Sequence, residues 1–227
     1  MSNLWEPGEL SRFRVSYDRG QLSEADLQPT PLRQFQVWME ELVASGWPEP
    51  NAMVLSTVDA SGQPTARTVL LKDVDAAGFR FFTNYRSLKA RAIEENPQVA
   101  LLFPWHGVHR QVTVLGRAER MSASESEAYF RSRPPDSQRA AWASFQSEPI
   151  NNRSVLEHRM EELKSRWPEG EAIPYPTFWG GYLVRADSIE FWHGRVSRLH
   201  DRLRYESVRP NAPLDAPSAW TIRRYSP

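Results

Sequence analysis

The densest grouping of side chains able to do chemistry is Arg198, His200 and Arg202, interrupted by Leu199 and Asp201. On a β-strand the period of two would set these three on one face, with Leu199 and Leu203 on the other. That face offers two guanidiniums and a titratable imidazole to one ligand, although a solvated outer strand face has the same pattern. Just upstream, Glu190 and Trp192 alternate with Ile189 and Phe191, so an indole lies opposite the core residues. An aromatic wall beside Arg and His suits a planar, anionic ligand.

Three further clusters have anion-binding character. Arg dominates the 28 basic residues, and the only lysines are Lys72, Lys89 and Lys164. A compact ammonium in such a chain suggests a place where a planar guanidinium will not serve. Arg67, Thr68, Val69, Leu70, Leu71 and Lys72 read as a strand whose alternation puts Arg67 and Lys72 on opposite faces unless a bulge intervenes; a plain barrel strand with one polar end fits equally. Thr83, Asn84, Ser87 and Lys89 fall where a strand hands over to a helix N-terminus, which favours phosphate, or which Ser87 simply caps. Tyr129, Arg133 and Ser137, with Pro134 and Pro135 between them, could place a phenol, a guanidinium and a hydroxyl around one oxyanion on a helix and a Pro-stiffened turn. His106 and His109 are too sparse to read as metal ligands, and no metal is expected.

Composition narrows the classes. Basic and acidic residues number 28 each, which argues against a polyanion partner such as nucleic acid. There is no Cys, so disulfides, thiolate metal sites and a Cys nucleophile are excluded. The apolar run at 99–105 is far too short for a membrane span, and the N-terminus lacks an apolar leader core, so a cytoplasmic protein without a membrane partner is expected. Dinucleotide-binding, P-loop, zincin and hydrolase-elbow motifs are all missing.

The elements that must position these residues are mostly strands. Thr30 and Pro31 open a helix with the apolar stripe Leu32, Phe35, Met39 and Leu42. Strands at 52–58, 65–74 and 79–83 read as a three-stranded meander, followed by a helix from Ser87 to Asn96 and strands at 99–103 and 110–120. Ser124 and Glu127 have capping-box spacing before a helix at 128–131, and another helix is expected over 154–167. Strands return at 182–185, 188–192, 199–205 and 220–224. The pattern predicts a mainly β fold with α decoration: an antiparallel, Greek-key-like barrel with flanking helices, formed by residues 29–227 as one domain behind a mobile arm at 1–28.

Taken together, the motifs RVSY (14–17), RTVLLK (67–72), FTNYRSLK (82–89), FPW (103–105), RQV (110–112), YFRSRPPDSQ (129–138), WASFQS (142–147), FWGG (178–181) and EFWHGRVSRLHDR (190–202) resemble the pyridoxine (pyridoxamine) 5′-phosphate oxidase family over nearly the whole chain. The resemblance implies an FMN-binding split barrel, homodimeric, with each FMN at the subunit interface. It implies oxidation of phosphorylated B6 vitamers to pyridoxal 5′-phosphate, with O2 as acceptor and hydrogen peroxide as product. By that pattern Arg67, Thr68, Val69, Leu70, Leu71, Lys72, Phe82, Thr83, Lys89, Gln111, Gln146, Ser147, Trp192 and Arg202 hold FMN. Lys72, Tyr129, Arg133 and Ser137 grip the substrate phosphate, Arg198 and His200 act on the ring side, and Arg14 with Tyr17 close over it as a lid. The family often has Ser-Arg-Lys where this chain has Ser87, Leu88 and Lys89; either Arg86 or else Arg91 replaces the missing contact, or Arg86 is solvated and Arg67, Lys89 and the backbone amides suffice. A flavin oxidase of phenazine assembly and a non-catalytic flavin or pyridoxal phosphate carrier are the alternatives.

Overall fold

A computed structural model describes residues 11, 16–18 and 20–227; Arg14 of the expected lid lies outside the described residues. Helix α1 (Pro31–Ala44) begins where expected, because the Thr30 hydroxyl accepts the Arg33 N–H at 3.2 Å and Pro31 occupies the first turn. It buries Phe35, Trp38 and Leu42 against the sheet. Strands β1 (Ala52–Val58) and β2 (Pro64–Leu70) form a hairpin, closed by Asp59, whose Oδ1 accepts the Ser61 and Gln63 N–H groups.

The expected meander is not what forms. The strand predicted over 65–74 ends at Leu70, and a separate short strand β3 (Asp73–Asp75) pairs with β4 (Gly78–Asn84). Strand β4 then pairs with the late strand β7 (Trp179–His193) rather than with β2. Helix α2 (Leu88–Glu95) leads to β5 (Gln98–Phe103) and β6 (Arg110–Arg120), giving the all-antiparallel order β2-β1-β5-β6-β7-β4-β3. Strands β8 (Asp201–Ser207) and β9 (Trp220–Arg224) extend the sheet from the second half of β7. The sheet wraps one core, in which Phe79, Phe81, Phe103, Phe191 and Tyr205 are fully buried, each such ring contributing about 1.5–3 kcal/mol.

Two strands predicted at 182–185 and 188–192 are one. A bulge across from Leu115/Gly116 leaves Asp187 without a partner in β6. Before it the even-numbered Tyr182, Val184 and Ala186 face the core; after it the odd-numbered Ile189 and Phe191 do. Gly116 permits this, since a Cβ there would lie 2.0 Å from the Arg185 carbonyl oxygen. The bulge therefore turns Glu190 and Trp192 onto the outer face.

Three helices form a second, smaller core around Phe130, Trp167, Ile173 and Trp179. Helix α3 (Ala123–Ser132) starts two residues earlier than Ser124/Glu127 spacing suggested, because the reciprocal capping box is Ser122 with Glu125. The expected Pro-stiffened turn after Arg133 is a helix, α4 (Pro135–Ala143), with Pro135 in its first turn, and α5 (Ser154–Arg166) follows. In the segment expected to be a mobile arm, residues 20–28 are docked: Leu22 is buried, its N–H reaches Asp201 at 3.1 Å, Glu24 pairs with Arg224, and the Tyr205 hydroxyl donates to the Gln28 carbonyl.

Candidate active site

The predicted residues fall into four groups. In the first, Arg67 rises from β2 and donates to the Leu55 carbonyl and the Thr57 hydroxyl, while Lys89, in the first turn of α2, donates to Gln146 Oε1 at 2.7 Å and Thr83 Oγ1 at 3.3 Å. Among the described residues no carboxylate pairs with either cation. Burial, and then the charge of Arg67, pull the Lys89 ammonium down to about 8. Two cations held close with no paired acid among the described residues have the chemistry to hold an anion. Ser147, at φ 74°, accepts the Leu88 N–H at the same helix end. Thr68, Val69 and Leu70 continue β2, and Leu71 is buried beyond it. Arg86 lies over the Phe178 ring at 5.0 Å and Arg91 donates to the Arg86 carbonyl, while Leu88 is exposed.

The second group is aromatic and basic. Tyr129 on α3 stacks on Phe82 at 3.8 Å, and the Arg133 guanidinium lies 4.6 Å over Trp179. Burial lowers the Arg133 pKa and raises that of Tyr129, whose phenol Arg133 pulls the other way. Arg133 Nη1 is buried with no hydrogen-bond partner among the described residues, next to a cavity of about 200 Å³ that Asn84, Ser144 and Gln146 also line. A buried, unpaired guanidinium nitrogen is costly unless a ligand completes it. Ser137 is half-buried in the first turn of α4. Lys72 is exposed, and its N–H bonds the Arg80 carbonyl beside β4.

The third group is a row across three strands: Gln111 pairs with Trp192, and Trp192 with Arg202. The neighbouring row is Thr113, Glu190 and Arg204. The sequence set Glu190 beside Trp192 on the face opposite the core but assigned it no role. A Glu on an outer strand face reads as solvated, and only the tertiary structure shows it buried between two arginines.

The fourth group corrects an expectation. Arg198 and His200 do not share a strand with Arg202: β8 begins at Asp201, and Arg198 ends a single 3-10 turn in which Ser197 and Arg198 have φ of 57° and 61°. Two successive non-glycine residues in the left-handed region cost of order 1–3 kcal/mol each, strain of the kind stored at functional sites. The loop is pinned below its exposed tip, with the Gly194 N–H on the His109 carbonyl and Arg195 paired with Asp201. His200 Nδ1 accepts the Arg195 N–H, so Nε2 carries the proton. Partial burial and then the Arg198 charge hold its pKa below the ordinary histidine value, leaving a neutral donor at pH 7. Trp192 packs 4.6 Å from His200, and Tyr17 stands edge-on to both. Among the described residues no group of three or more His, Asp or Glu could hold a metal ion, and no helix is long and apolar enough to cross a membrane.

An antiparallel split barrel with an Arg–His loop and two cationic clusters that pair with no carboxylate among the described residues defines the class: a split-barrel protein built to hold anions. Residues 39–167 match the family model described as pyridoxamine 5′-phosphate oxidase, and residues 179–227 match that of the pyridoxine 5′-phosphate oxidase C-terminal dimerisation region. Relatives named pyridoxine/pyridoxamine 5′-phosphate oxidase include those of Kineococcus radiotolerans, 51% identical over 94% of this chain and 97% of the relative, and Rubrobacter xylanophilus, 54% identical over 89% and 93%. PhzG from Burkholderia lata, solved with tetrahydrophenazine-1-carboxylic acid, superposes with a TM-score of 0.82 at 26% identity, covering 94% of this chain and all of that one. An FMN-binding, pyridoxamine 5′-phosphate oxidase-related protein from Nostoc punctiforme shares the fold with a TM-score of 0.66 at 17% identity, covering 88% of this chain and all of that one. The chain belongs to the pyridoxine/pyridoxamine 5′-phosphate oxidase family.

Proposed function

We propose that this protein is an FMN-dependent oxidase that converts pyridoxine or pyridoxamine 5′-phosphate to pyridoxal 5′-phosphate, with O2 as acceptor and hydrogen peroxide as product. The observation that carries this reading is the buried Nη1 of Arg133 near Tyr129, without a hydrogen-bond partner among the described residues, a second cationic pocket that adjoins the Arg67–Lys89 cradle at Gln146. One cradle suits the FMN phosphate and the other the substrate phosphate. A phenazine-type substrate has no use for the second.

When bound, FMN supplies the two-electron acceptor. Arg67, Lys89, Thr83, Gln146 and Ser147 hold its phosphate end, with the 68–71 backbone and Phe82 alongside, and Gln111, Trp192 and Arg202 hold its ring end. Thr83 pairs with Gly180 and Gln111 with Trp192, near opposite ends of β7. At roughly 3.3 Å per residue these positions are too far apart for one ligand in one subunit. A homodimer with FMN at the interface reconciles them, the partner supplying the other half-site. Lys72, Tyr129, Arg133 and Ser137 grip the substrate phosphate; Arg198 balances charge on the pyridine ring, neutral His200 donates from Nε2, and Tyr17, edge-on to Trp192 and His200, packs beside the ring.

Anaerobic mixing with pyridoxine 5′-phosphate tests the reading: the bound flavin should bleach, and hardly bleach with free pyridoxine. Equal bleaching by both would remove the substrate phosphate site. Lys89 adds a pH signature. Its ammonium must be charged to meet the FMN phosphate, so apoprotein affinity for FMN should fall as pH rises through about 8, by up to about tenfold per pH unit. Lys89→Met should flatten that limb, and an unchanged profile would take Lys89 out of the cradle.

A further inference from the structure

We propose that Glu190 is a positioning residue of the flavin site, holding the Arg202 guanidinium and offsetting one of two adjacent positive charges so that FMN meets a preset cation. The inference rests on the reading above, in which Arg202 contacts FMN.

Glu190 is 7% exposed, yet it stands on the outer face of β7 beside Trp192 because of the bulge at Asp187. Its carboxylate takes a two-pronged grip from Arg202, Nε to Oε1 at 3.0 Å and Nη2 to Oε2 at 2.9 Å. Oε2 also accepts from Arg204, Nε at 3.2 Å and Nη2 at 2.7 Å. Burial alone would push the carboxyl up; the hydrogen bonds and charges of the two arginines outweigh it, so the group is ionised.

This geometry has two consequences. Arg202 and Arg204 are next-but-one neighbours on one face of β8, and without a shared anion their charges would repel in a half-buried setting. A bidentate carboxylate also fixes the plane of a guanidinium, so the ordering cost of the Arg202 side chain is met before ligand arrives. Arg202 Nη1 is held from the other side by the Ser226 carbonyl at 3.0 Å, and each Nη still has a second hydrogen to offer. Arg204 is backed by the Tyr225 ring at 4.1 Å. Glu190, Arg202, Arg204 and Gln111 line one cavity of about 240 Å³, so the carboxylate stands at the site and acts there through Arg202.

The test is FMN titration of the apoprotein, followed by quenching of flavin fluorescence, for wild type, Glu190→Gln, Arg202→Ala and the double variant, with ligand-free melting measured alongside. Glu190→Gln should weaken FMN binding about tenfold or more and add little in the Arg202→Ala background, since the carboxylate acts through that arginine. Affinity within about twofold of wild type, or an equal loss in both backgrounds, overturns the proposal. Should Glu190→Gln fail to fold, Glu190→Asp decides, because it keeps the charge but draws the carboxylate back: a loss of about threefold or more supports the positioning role, and unchanged affinity overturns it. Wild-type apoprotein that does not bind FMN would instead defeat the proposed function, and this inference with it.

Discussion

Arg198→Ala is expected to lower kcat/KM for pyridoxine 5′-phosphate by about 10²–10³-fold, the loss typical of removing one preorganised group that meets developing charge, while FMN content stays at the wild-type level. Arg198 stands exposed at the tip of a strained loop whose base is fastened by Gly194, Arg195 and Asp201, so the side chain can go without unfastening the loop. The same substitution has a second, independent signature. After partial burial, the Arg198 charge is what depresses the His200 pKa, so its removal should shift the acid limb of the pH–rate profile upward. Loss of flavin with unchanged turnover per bound flavin would assign Arg198 to the cofactor instead.

Arg133→Ala should be nearly as damaging, but selectively. A charge-assisted hydrogen bond to phosphate is worth roughly 1.5–3 kcal/mol, so losing the guanidinium should cut kcat/KM for pyridoxine 5′-phosphate by about 10²-fold. Oxidation of free pyridoxine, which never engages the group, should hardly change. The expected result is thus a collapse of the preference for the phosphorylated substrate. Because Arg133 also covers Trp179, an equal fall with both substrates would show that its role is packing of the smaller core. Steady-state kinetics with the two substrates separates these outcomes.

Local rules carried much of the architecture. The Thr30–Pro31 start, the 52–58 strand, the Ser87 cap and the 110–120 and 220–224 strands are legible because each is set by a cap, a turn or an alternation within a few residues. So are the types of side chain that meet at the site, since Arg, Lys and His together point to anion binding and proton handling, and the lack of Cys excludes thiol chemistry. What the sequence left open was long-range. The partner of β4 is a strand about a hundred residues later, the 65–74 pattern breaks because the chain leaves β2 to start another hairpin, and Arg198 sits on a loop rather than a strand. Alternation alone set Glu190 and Trp192 opposite the core residues Ile189 and Phe191. Pairing with β6 and β8 decided the rest: one unpaired residue at Asp187 joins two expected strands into β7, Trp192 lies in line with Gln111 and Arg202, and Glu190 is buried between two arginines. Side-chain alternation is a local property, whereas the neighbours across the strands exist only once the barrel has closed.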